Sequence, residues 1–172
     1  WRAAMEQSLV SRRCMPLDPV DLTVDEIVAL KKRWKAYARS EDTDAHLTLS
    51  PREATFLLQA ETEIGLFLTA RADQLDARIT VPVPDGCYNI EFLGAVEVHD
   101  GLAVLDVDEL RIARQDLTSL AGLGGALGRP RQAIGPDDVE DPAISQALAN
   151  IEHLEVVDGA LRIRFVDPSA VW

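Results

Sequence analysis

Cysteines, histidines and clustered carboxylates are the residues of this chain able to bond covalently, ligate a metal or move protons. Its two cysteines are Cys14 and Cys87. Neither belongs to a CxxC pair, so zinc and thioredoxin-type chemistry have no support. Two readings stay open. They form one disulfide across a long loop, a bridge that contributes roughly 4 kcal/mol in the chain-entropy model and implies an oxidising compartment; or they are two unrelated thiols. The three histidines, His46, His99 and His153, are far apart in sequence, and none falls in HExxH or a comparable metal-ligand spacing. His99 adjoins a turn and His153 lies between Glu152 and Glu155, so surface polarity accounts for both. A His–carboxylate site assembled across a sheet is not selected by anything in the sequence.

The acids read the same way. Asp106 and Asp108 fall on one face of an expected strand, beside Glu109, and are most simply solvated. Asp137, Asp138, Glu140 and Asp141 lack the glycine and terminal glutamate of a calcium loop. There is no G-x-S-x-G elbow. The run Gly122-Leu123-Gly124-Gly125-Ala126-Leu127-Gly128 superficially suggests a dinucleotide loop, but G-x-G-x-x-G requires glycine where Leu127 stands. A non-enzymatic protein without metal or cofactor is the expectation.

The composition, 47% hydrophobic and 27% charged, excludes global disorder. With aromatics at 5%, the core must rest on Leu, Val, Ile and Ala. The net charge of −12 is unevenly spread. Residues 1–40 carry eight Lys/Arg against five Asp/Glu, so the excess of acid lies wholly in the remainder. An acidic body is repelled by phosphates, which argues against a nucleic-acid partner. The basic N-terminal stretch suits anionic lipid headgroups if a membrane anchor precedes it. The chain opens on Trp1 rather than methionine, and an upstream segment is expected. Within the chain no apolar run is long enough to span a bilayer, and no signal peptide is present.

The elements that would position these residues follow from local signals. Thr23-Val24-Asp25-Glu26 is a capping box, and Ile27, Leu30, Trp34 and Tyr37 recur at helical spacing to about Arg39. Ser50-Pro51-Arg52-Glu53 is a second box, with proline at the first helical position, predicting a helix to about Glu61. The period then changes to two. Leu66/Leu68, Ala77/Ile79/Val81/Val83 and Tyr88/Ile90/Phe92 read as half-buried strands, with Pro82 and Pro84 at an edge or strand end and a bulge at Gly94. Asp100-Gly101 and Asp158-Gly159 are hairpin signals between apolar strands. Asp116 to Gly128 reads as a Gly-rich helix capped by Asp116, and Arg129 to Asp141 as a loop before a short helix from Pro142 to about Asn150. The expected fold is therefore α+β: a curved antiparallel sheet with two Asp-Gly hairpins, packed by N-terminal helices and the Gly-rich helix. Residues 1–46 form an extension with a basic amphipathic helix, and residues 47–172 the α+β domain. Trp34, Tyr37, Leu117, Leu120, Leu123 and Leu127 are candidates for an interaction or ligand face.

The order of Leu47-Thr48-Leu49-Ser50-Pro51-Arg52-Glu53-Ala54, then Val81-Pro82-Val83-Pro84, Tyr88-Asn89-Ile90, His99-Asp100-Gly101-Leu102 and a Leu-rich helix resembles the membrane-anchored extracytoplasmic bacterial domains of the YpmS-like kind. The resemblance covers about residues 47–127. The chain departs from that pattern in its basic N-terminal helix and its cysteines. The resemblance implies a domain held at the outer face of a cytoplasmic membrane behind one transmembrane helix, with no catalytic residues to carry over. The leading expectation is protein contacts within an envelope assembly. A lipid or apolar-ligand carrier is the alternative, and a cytoplasmic adaptor the alternative location.

Overall fold

The computed structural model describes residues 9–61, 64–113, 115–116, 131–139 and 142–170. Among the described residues, three α-helices accompany an antiparallel sheet. Helix α1 (Val24–Ala38) starts at the Thr23 box: the Thr23 hydroxyl accepts from the Glu26 amide at 3.2 Å, and the Thr23 amide donates to Glu26 Oε2 at 2.7 Å. Helix α2 (Pro51–Glu61) repeats the device with Ser50 and Glu53. Helix α3 (Pro142–Ala149) precedes the last two strands.

The strands are β1 (Val10–Ser11), β2 (Leu47–Leu49), β3 (Gly65–Arg71), β4 (Gln74–Val83), β5 (Gly86–His99), β6 (Leu102–Ile112), β7 (Gln115–Asp116), β8 (Arg131–Ile134), β9 (Ile151–Val157) and β10 (Ala160–Phe165). The main path runs β2-β10-β9-β5-β4-β3. Strand β5 organises it. One edge pairs with β4 along Gly86–Gly94 and with β9 at Val98 and His99, while the other holds β1 and β6. Register on β6 shifts between Leu93 and Gly94, where a Cβ would overlap the Asp106 carbonyl oxygen, so glycine is required. Pro82 pairs with Cys87 of β5 and lies past the Gly65–Thr80 pair that ends the β3–β4 ladder, so that ladder needs no N–H from it.

The path curls until its turns meet: the Gly159 amide in the β9–β10 turn donates to the Ala72 carbonyl in the β3–β4 turn at 2.8 Å. The concave face buries Leu68, Leu75, Ala77, Val156, Leu161 and Ile163, and α1 and α2 fill it with Leu30 and Ala54. Each such leucine or isoleucine contributes about 1.5–3 kcal/mol of transfer free energy.

Asp116 sits in β7 opposite Arg111, and the helix expected to follow it falls outside the described residues. One expectation is corrected. The segment expected as loop contains β8, whose Arg131–Ile134 pairs with Ala103–Asp106 of β6. Arg131-Gln132-Ala133-Ile134 has no period-two alternation, so nothing marks it as a strand without its partner. The Gly-rich helix with Leu117, Leu120, Leu123 and Leu127 lies outside the described residues.

Candidate functional site

Residues 10–22 form a strap across one end of the sheet. Val10 and Ser11 pair with Tyr88 and Cys87. Cys14 and Cys87 are then joined as a disulfide, with Cα atoms 5.1 Å apart and 73 positions between them, and Cys87 is fully buried. Asn89 adds three bonds: its Oδ1 accepts from the Met15 amide and the Thr80 hydroxyl, and its Nδ2 donates to the Arg13 carbonyl. Farther on, Gln59 of α2 accepts from the Val20 amide at 2.9 Å, and Arg52 donates to the Asp21 carbonyl at 2.6 Å. Between strap, α2 and β3 opens a groove of about 520 Å³, lined by Pro19, Val20, Arg52, Phe67, Leu68 and Ala70 among others.

The ends of the main strand path are closed by side chains from the helices. On β3, the buried Thr55 hydroxyl donates to the Pro51 carbonyl at 2.7 Å and accepts from the Leu68 amide at 3.0 Å, and Gln59 Nε2 donates to the Leu66 carbonyl at 2.8 Å. On β2, Arg33 of α1 donates to the Thr48 carbonyl at 2.7 Å and also pairs with Glu53. Three edge groups that would help template another strand, the Leu66 and Thr48 carbonyls and the Leu68 amide, are thus occupied.

Trp34 and Tyr37, candidates for an interaction face, are half-buried against the core. Both pack on Phe165, with ring centroids 5.8 and 6.3 Å away, and the Tyr37 hydroxyl accepts from the Phe165 amide at 2.7 Å. Helical spacing places residues of this type against a core as readily as against a partner. The outward face of α1 carries Val24 (77% exposed) and Val28 (59%), followed by exposed Lys31, Lys32, Lys35 and Arg39. It is a basic strip on an acidic protein.

All three histidines, scattered in sequence, meet on the convex side at the β5–β9 junction. His99 and His153 are cross-strand partners with Nδ1 atoms 3.4 Å apart. The His46 ring, just before β2, stands with its centroid 5.6 Å from that of His153. His99 Nε2 lies 3.3 Å from Glu97 Oε2, and His153 Nε2 lies 3.6 Å from Glu155 Oε2. Arg164, opposite His153 in register, is held by Glu152 at 2.9 Å and Asp44 at 3.9 Å. Among the described residues no three His, Cys, Asp or Glu side chains converge, as placed, tightly enough to hold a metal ion. Linear spacing missed this cluster because it depends on the β5–β9 register. Asp106 and Asp108, by contrast, stay apart from it on β6, where Asp108 accepts from Gln74 of β4.

No protein family, curated protein or solved structure matches the chain. No helix among the described residues is long and apolar enough to cross a membrane.

Proposed function

We propose that this is a non-catalytic extracytoplasmic domain, tethered to a membrane by an upstream segment and acting through protein contacts in an envelope assembly. The pairing of Cys14 with Cys87 carries the reading. A bridge that pins a strap to the sheet serves a protein that folds in an oxidising compartment and persists there. The basic strip of α1 supports it: lysines beside two exposed valines suit an anionic membrane surface or an acidic partner lying against it. The resemblance of residues 47–127 to YpmS-like domains points to the same location.

An apolar-ligand carrier has less support. The concave sheet face that would hold a lipid is filled by α1 and α2, which leaves the strap groove as the place for an apolar chain.

The location is tested in cells producing the full-length gene product. In intact spheroplasts, a membrane-impermeant reductant followed by an impermeant maleimide should label Cys14, the exposed partner of the bridge. Labelling only after lysis would refute the extracytoplasmic reading and favour a cytoplasmic adaptor.

A further inference from the structure

We infer that His99 and His153 form the base of a binding site for a divalent transition-metal ion of the zinc–copper–nickel class, with His46 as the third ligand. The argument starts from proton positions. A carboxylate faces Nε2 of each imidazole: Glu97 at 3.3 Å from His99 and Glu155 at 3.6 Å from His153. That environment favours the tautomers protonated at Nε2, the arrangement in which a carboxylate orients a metal-ligating histidine. In those tautomers both Nδ1 lone pairs face one point across 3.4 Å, where a cation can bridge them; a ring protonated at Nδ1 would instead donate a hydrogen bond to the other.

The spacing is that of a chelate. Two nitrogens of a tetrahedral zinc site, with bonds of about 2.05 Å, stand about 3.3–3.4 Å apart. The strands bring the two rings within chelating reach, because His99 and His153 are direct partners in the antiparallel register. Local charge permits a cation: Arg164 is already countered by Glu152 and Asp44, and Glu97 and Glu155 add two carboxylates. As placed, the pair supplies two ligands. His46, whose ring centroid stands 5.6 Å from that of His153, is the nearest histidine to supply a third ligand, and it would have to rotate to do so. The site is open to solvent, since His99 is 55% and His153 19% exposed.

The test is Zn²⁺ titration of the untagged chain by calorimetry, with long-range ¹H–¹⁵N spectra of the imidazoles. One equivalent should bind, shifting Nδ1 of His99 and His153 while both Nε2 stay protonated. His99→Gln should weaken binding at least tenfold, and His46→Gln severalfold. Glu97→Gln should weaken it about tenfold, the usual effect of removing a carboxylate behind a ligating imidazole. His99 is exposed, so its variant keeps the fold even if His153→Gln loosens the junction. No saturable binding up to about 1 mM, binding unchanged by His99→Gln, or Zn²⁺ shifts confined to other residues would overturn the proposal.

Discussion

Single buried polar atoms hold the ends of this sheet. Thr55 is fully buried, and its hydroxyl accepts from the Leu68 amide on the outer edge of β3. Thr55→Val keeps the shape and deletes the acceptor. We expect a loss of about 1–3 kcal/mol in urea unfolding; a change inside experimental error would mean that water replaces the hydroxyl at that edge. Gly94 has a steric rather than a polar role. Gly94→Ala would push the Asp106 carbonyl of β6 away at the bulge, and a loss of about 1–3 kcal/mol is expected in the same measurement. Sequence foretells the two residues unequally. Gly94 interrupts an alternating pattern and signals a bulge by itself. A threonine in mid-helix carries no mark of the strand it caps, because the partner amide is thirteen residues away and on another element.

The elements divide in the same manner. Both capping boxes are legible because donor and acceptor lie within one turn, and period-two alternation with Asp-Gly dipeptides points to the antiparallel α+β class. What no local pattern reveals is the strap, whose anchors Asn89, Gln59 and Arg52 are distant in sequence. The histidine cluster is hidden for the same reason. Turns also store strain that the alternation does not show. Ala72 adopts φ 54° between β3 and β4, a left-handed conformation that alanine disfavours and asparagine tolerates. Ala72→Asn should therefore raise stability by about 0.5–1 kcal/mol, read as a higher urea midpoint with unchanged slope; a lower midpoint would show that the turn depends on the alanine. Leu30 is the point where α1 enters the core, at 2% exposure. Leu30→Ala should cost about 2–5 kcal/mol, and a smaller loss would mean that α1 rests mainly on Trp34 and Tyr37.

Across the whole molecule, a curled acidic sheet is filled by two helices, tied at one end by the strap, and marked outside by a basic strip and a row of imidazoles. The strap ties the proposed location to the fold, since its bridge joins residues 73 apart and disulfides persist mainly where thiols are not kept reduced. On the chain-entropy estimate the bridge contributes roughly 4 kcal/mol, so reductant should lower the unfolding midpoint of the wild type and leave a Cys14→Ser/Cys87→Ser variant unaffected. The most direct check on the account is a count of free thiols by mass spectrometry on native material, with and without reductant. The account predicts none before reduction, two after it, and a linked Cys14–Cys87 peptide. Two free thiols in the native protein would contradict it, and with it the extracytoplasmic placement on which the proposed function rests.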